Sequence, residues 1–281
     1  MDENNGKLER DDYEDPACPF CVDKYQKEPP ARPIPIGRVI DKLNEYFSRN
    51  DTAGAERHLL YWLAEARQNR DRHGVFTLEN ELAGFYRKRG DRDNAVKYAE
   101  AAVATGEGMG VLDRASGATA FVNAGTVYKA FGMPERSLEM FKRALPVYED
   151  ELEPGDWRLG GLYNNLALTL ADLSRFDEAR EYYEKALANM RLTPNGEAEQ
   201  AVTCLNMADL CEAQYGAEDA AEEIEELLDR AWALLETPSL PRSGDYAYYC
   251  RTCAPTFRYY GRFADARDLE SRAEDIYESN R

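Results

Sequence analysis

Small residues recur among larger apolar ones at a fixed spacing along this chain. Gly90, Gly132 and Gly261 mark turns, and each has a small residue seven positions earlier (Ala83, Gly125, Ala254) and another five positions later (Ala95, Ser137, Ala266). An aromatic stands four before each glycine, at Tyr86, Tyr128 and Phe257. A fourth copy uses Ser174 at the turn, with Ala167 and Ala179 in register and Leu170 in the aromatic position. Ala102, Ala144, Ala186 and Ala273 complete the second half of these copies. Such a pattern predicts pairs of antiparallel helices that cross closely enough to need small residues, with larger side chains filling the holes between them.

Two further copies extend the register. Residues 202–235 carry Ala208 and Ala231 in the first and last small positions, with the second helix delayed by about four residues through Tyr215-Gly216-Ala217-Glu218. A degenerate first copy spans 36–66, anchored by Leu43, Tyr46, Ala55 and Leu59. With Leu43 standing in, the first small positions are 43, 83, 125, 167, 208 and 254, which lie 40, 42, 42, 41 and 46 residues apart. A period of this length is the signature of a repeat architecture.

The segments Leu162-Tyr163-Asn164-Asn165-Leu166-Ala167-Leu168, Phe176-Asp177-Glu178-Ala179 and Tyr183-Glu184-Lys185-Ala186-Leu187 carry a resemblance. Together with the period near 42, they make the chain similar to tetratricopeptide-repeat proteins of the long-period, kinesin-light-chain-like branch. The resemblance runs over about 36–280, strongest in the second to fourth copies. It implies an all-α superhelix of about six helix-turn-helix repeats over 36–281, preceded by an N-terminal arm over 1–35. The arm is polar and holds Pro16, Pro19, Pro29, Pro30, Pro33 and Pro35, so it is expected to be extended or disordered. Residues 104–113 and 192–197 are expected as loops between repeats, and 237–245 as a longer one.

Composition narrows the function. The chain has 281 residues, 43% hydrophobic, with 53 acidic against 35 basic side chains and a formal charge of −18. That charge disfavours a polyphosphate partner. No apolar run approaches the ~18 residues of a membrane span, and no secretory signal is visible at the start. A cytoplasmic protein with no nucleic-acid or membrane partner and no cofactor is therefore expected.

The resemblance implies that the first helix of each repeat lines a concave groove, through positions −6, −3, −2, +1, +4 and +5 relative to the first small residue. At −2 the copies read Asp41, Glu81, Asn123, Asn165, Asn206 and Thr252, and Asn80 and Asn164 add carboxamides at −3. Helices pack roughly 8–10 Å apart and an extended peptide advances about 3.3 Å per residue, so such a ladder meets a ligand backbone about every third residue. Each carboxamide offers a donor and an acceptor to a peptide unit. The alternative is that the asparagines satisfy one another or loop carbonyls.

Across the inferred groove, Arg87, Lys88, Lys129, Arg251 and Arg258 face Asp41, Glu81, Asp172, Asp209 and Glu212, so the groove is neutral on an acidic body. Arg87, Lys88 and Lys129 are candidates for a cationic patch that takes a ligand carboxylate, against the reading of solvated residues on a helix face. Arg251, Arg258 and Tyr259 form a weaker group at the other end. Pro255 falls inside the last first-helix, where it removes one helical hydrogen bond.

Catalytic motifs are weak. Cys18-Pro19-Phe20-Cys21 lies in the arm with no βαβ pattern for redox chemistry, and the arm offers no second pair or histidine for a zinc site. Cys204, Cys211, Cys250 and Cys253 fall at helix-packing positions. Gly106-Glu-Gly108-Met-Gly110 follows a helix rather than a strand and lacks the Lys-Ser/Thr of a phosphate loop. His58 and His73 belong to no recognisable triad. The expectation is a non-catalytic module that holds an extended peptide or protein tail. The rivals are a scaffold that self-associates through Leu269, Ile276 and Tyr277 at an uncapped end, an arm lying in its own groove through 29–35, and metal or redox chemistry at Cys18 and Cys21.

Overall fold

The computed structural model describes residues 31–279, which form twelve helices and no strand. They are α1 (Ile36–Ser48), α2 (Thr52–Gln68), α3 (Arg72–Lys88), α4 (Arg92–Met109), α5 (Ala115–Ala130) and α6 (Pro134–Glu151). After them come α7 (Trp157–Asp172), α8 (Phe176–Met190), α9 (Glu197–Tyr215), α10 (Ala221–Leu235), α11 (Gly244–Tyr259) and α12 (Phe263–Ser279). Odd-numbered helices are the first (A) helices of six repeats and even-numbered ones the second (B) helices. Cys18 and Cys21 lie outside the described residues, as does the arm through residue 30.

The repeat register is the packing register. Ala83, Ala167, Ala208 and Ala254 are buried at the A–B crossings, as are Ala95, Ser137, Ala179 and Ala266 opposite. At Gly125 the crossing is tightest: a β-carbon there would lie 2.4 Å from the Phe141 ring. The turns repeat too. Gly90, Gly132 and Gly261 take left-handed backbone, and Ser174 takes the same conformation at φ 57°. Glycine is favoured here because a β-carbon is strained at positive φ. Asp51, Asp71 and Asp91 each accept a backbone N–H three residues on and so cap α2, α3 and α4.

Each B helix packs on its own A helix and on the next one. Neighbouring A helices also approach one another directly, most closely in the pairs α3–α5 and α9–α11. The B helices are linked across repeats by longer arms: Arg136 to Glu100 and Arg143 to Glu107 from α6 to α4, and Arg180 to Glu223 from α8 to α10, each at 2.6 Å. A stack whose A helices are closer together than its B helices curves with the A helices inside, as solenoids do. Deeper in the stack, Glu79 is buried on α3 and accepts from Arg67 at 2.9 Å and Thr105 at 2.6 Å, joining repeats one and two.

Three details depart from expectation. Residues 104–113 are not all loop, because α4 continues to Met109. A β-carbon on Gly106 would press on Leu112 at 2.4 Å and Phe76 at 2.9 Å, so that glycine serves packing inside a helix, and only Gly110 turns the chain at φ 66°. In the arm, Ile34 is buried and its N–H donates to Asp71 at 2.8 Å. At the far end Leu269 is fully buried while Ile276 and Tyr277 are partly covered, so Leu269 is not available for an exposed self-association face. Pro255 is accommodated without a break in α11, and Pro146 likewise in α6.

Candidate functional site

The inner wall is built from the A helices, and its carboxamides follow a rule. The Nδ2 of Asn123 on α5 donates to the Oδ1 of Asn80 on α3 at 2.9 Å. One repeat pair further on, the Nδ2 of Asn206 on α9 donates to the Oδ1 of Asn164 on α7 at 3.2 Å. In both cases the −2 side chain of one copy donates to the −3 side chain of the copy before it. Asn80 is held in turn by the Phe76 carbonyl at 2.9 Å, and Asn164 also accepts from Thr203 at 3.3 Å. For Asn165 the rule has no partner to offer, because the −3 residue of the third copy is Val122. The half-buried carboxamide of Asn165 makes no side-chain hydrogen bond among the described residues. The Oδ1 atoms of Asn123 and Asn206 likewise accept none. The wall thus presents two closed rungs with one open carboxamide between them.

The candidate cations divide. Arg87 and Lys88 sit in the last turn of α3 and Lys129 in the last turn of α5, next to the negative helix ends that favour positive charge. Lys129 reaches Asp172 on α7 at 3.8 Å, a +4 to +5 contact between successive copies, while Arg87 and Lys88 make no ion pair among the described residues. Burial raises the pKa of Glu81, and the nearby Lys88 charge works against that shift. At the other end the group does not assemble. The Arg251 guanidinium lies over the Tyr277 ring at 5.6 Å, and Arg258 pairs with Glu270 at 2.7 Å, both partners being on α12. Tyr259 turns the opposite way and donates to Glu212 on α9 at 2.9 Å. In the sixth repeat no further A helix is present among the described residues to receive the long +4 and −3 side chains, so they fold onto their own B helix.

Acidic groups line a hollow of about 530 Å³ in this half of the groove, formed by Asp209, Glu212, Pro255, Thr256 and Tyr259. The Tyr260 hydroxyl shares its one proton there between Asp209 at 3.0 Å and Glu212 at 2.9 Å. Burial, with Glu212 beside it, raises the Asp209 pKa.

The four cysteines of the repeats are buried thiols. Burial pushes Cys253 up to about 12 and raises Cys204, Cys211 and Cys250, which makes them poor nucleophiles. His58 is used structurally, its Nε2 lying 2.9 Å from the Val39 carbonyl. Among the described residues no group of three or more His, Cys, Asp or Glu is arranged to hold a metal, and no helix is long and apolar enough to cross a membrane.

Sequence reasoning missed Glu199, Trp157 and Tyr249, which meet at a second cleft between the loops. Their positions fall outside the repeat register of the inner wall. The signal that was available was the pair of unequal loops at 191–196 and 236–243.

The family model for the tetratricopeptide repeat matches residues 74–150 and 159–231. No curated protein matches the chain. Among solved structures, a Podosopora anserina protein with nearly identical TPR-like repeats, described as a kinesin light chain, is 17% identical with a TM-score of 0.50 over 72% of this chain and 95% of its own. The apo form of RapI is 12% identical with a TM-score of 0.57, covering 92% and 88%. A Rap protein complexed with Competence and Sporulation Factor is 16% identical with a TM-score of 0.56, covering 86% of this chain and 63% of that one. At these identities the likeness is one of fold.

Proposed function

The chain belongs to the tetratricopeptide-repeat family, whose fold is that of protein–protein interaction modules, and we propose that it holds an extended peptide or protein tail along its A-helix wall without catalysing a reaction. The observation that carries this reading is the open carboxamide of Asn165 between the free Oδ1 atoms of Asn123 and Asn206. A half-buried carboxamide without partners has hydrogen-bonding capacity to give, and a peptide unit matches both its donor and its acceptor. Arg87 and Lys88, uncommitted at the end of α3, would meet a carboxylate on the same ligand. Side-chain selectivity then rests on the acidic hollow at Asp209 and Glu212. Ordering a flexible ligand costs entropy, so a moderate affinity is expected.

The test is selection of binders from a random peptide library on the wild-type chain, followed by affinity measurement on the N123A/N165A/N206A variant. A loss of about two orders of magnitude is expected for a main-chain-gripping wall. Unchanged affinity in a folded variant sinks the reading. Self-association through the C-terminal repeat is the second reading. The burial of Leu269 weakens it, and light scattering at several concentrations decides it.

A further inference from the structure

Three loops at one edge of the stack enclose a cleft of about 530 Å³. They are the turn entering α7, the α8–α9 loop and the α10–α11 loop. All three are tied down by groups that do not face the cleft alone. Asn189 takes the Gly155 N–H on its Oδ1 and donates its Nδ2 to the Asp156 carbonyl, both at 2.9 Å, and Thr193 donates to the Gly155 carbonyl at 3.0 Å. Arg242 donates to the Leu235 carbonyl at 2.7 Å and stacks on the Tyr246 ring. The walls are therefore set before any ligand arrives.

What those walls present is one-sided. Among the described residues no Lys, Arg or His lines the cleft. Of the carboxylates, Asp156 is neutralised by its own Arg158 at 2.6 Å. Asp245 is exposed and its side chain makes no hydrogen bond or ion pair among the described residues. Glu199, in the first turn of α9, accepts from the Tyr249 hydroxyl at 3.0 Å through Oε1, while its Oε2 is buried with no hydrogen-bond partner. Burying a carboxylate oxygen unpaired is costly, and Glu199 responds with a raised pKa whose first cause is desolvation. Apolar surface completes the site: Leu240 and Ala198 are buried in its floor, and the indole of Trp157 stands 64% exposed at its edge.

We propose that this cleft binds the basic side chain of a partner peptide, an ammonium or guanidinium placed against the carboxylates of Glu199 and Asp245 with its aliphatic stem along Leu240 and the aromatic wall. A lysine or arginine fits both halves of the site, since such side chains bury their stems while keeping a charged head among polar groups. Tyr249 and Trp157 add ring faces that attract a cation. Three helix starts meet the cleft and would repel positive charge: those of α7 and α11 are capped by Asp156 and Ser243, and the start of α9 has no side-chain cap but carries Glu197 and Glu199 in its first turn. This site stands apart from the asparagine wall and survives if that reading fails.

The experiment titrates the full chain with Nα-acetyl-lysine methylamide, Nα-acetyl-arginine methylamide and the neutral Nα-acetyl-citrulline methylamide, following backbone amide shifts at 155–157, 193–199 and 240–246. Saturable shifts with the two cationic probes and none with citrulline are expected. E199Q, which keeps the shape and the Tyr249 contact, should weaken both cations at least about tenfold. N123A/N165A/N206A should leave them unchanged. Equal response to citrulline, undiminished binding to E199Q, or no shift in these segments overturns the proposal. Tighter binding of putrescine than of the lysine probe overturns the peptide source in favour of a free amine.

Discussion

The A-helix wall and the loop cleft are made from the same chain by opposite routes. On the wall, successive copies face one another one position out of register, and the −2 and −3 or +4 and +5 side chains satisfy each other: Asn123 with Asn80, Asn206 with Asn164, Lys129 with Asp172. Only where the copies differ, at Val122, is a carboxamide left open. In the cleft no such symmetry operates, because its three loops differ in length and sequence, and Glu199 Oε2 and the Asp245 carboxylate make no hydrogen bond among the described residues. Repetition tends to close polar groups against their own copies. Unmatched polarity, the raw material of recognition, collects where the repeat is broken.

The largest expected effect tests whether the two regions act separately. N123A/N165A/N206A should cost a selected peptide about 3 kcal/mol, near 1 kcal/mol for each lost hydrogen-bonding carboxamide, while the cleft's cation probes bind as before. Titration of the same two ligands in both variants, E199Q included, gives the full cycle, and any cross-effect shows that wall and cleft are coupled.

Acid should separate them next. Burial raises Glu199 above its ordinary 4.5, so the folded chain holds that proton more tightly than the unfolded chain. Its contribution to stability is therefore present at low pH and is lost as pH rises through the raised value. Cation binding runs the other way, since it needs the carboxylate: the lysine probe should be released as pH falls through the raised value, and E199Q should flatten both profiles.

Within the wall, single changes should distinguish closed rungs from the open one. N123A deprives Asn80 of its donor and should lower unfolding stability by about 1 kcal/mol, whereas N165A removes no hydrogen bond of its side chain and should leave stability nearly unchanged in urea denaturation. If N165A destabilises as much as N123A, the rung rule is wrong. The smallest effect is expected at the turn where a copy departs from glycine: S174G relieves a non-glycine φ of 57° and should stabilise by up to about 1 kcal/mol. It should not move either ligand.

Much of this could be read along the chain. Helix pairing, the crossing alanines and the turn residues follow from periodicity, because close helix packing admits few residue types at a crossing and left-handed turns admit few at a bend. The delayed start of α10 after Gly216 was legible for the same reason. The closed rungs were implicit too, since the alternation of Asn80, Val122, Asn164 and Leu205 at −3 dictates which −2 asparagines find a partner. Gly106 shows where reading failed: the same residue that ends helices also lets Leu112 and Phe76 approach one, and local sequence does not tell the two uses apart.

By itself, then, the sequence determined the repeated helix pairs, their order and the positions that face inward, because these rest on short-range sterics copied from one unit to the next. Tertiary structure alone decided where long side chains go and what the loops enclose. Arg251 and Arg258 bend onto α12, Leu269 is covered, and Glu199 meets Tyr249 across 50 residues of chain. Those outcomes depend on distances between segments that no local rule connects, and on burial, which exists only once the stack has formed.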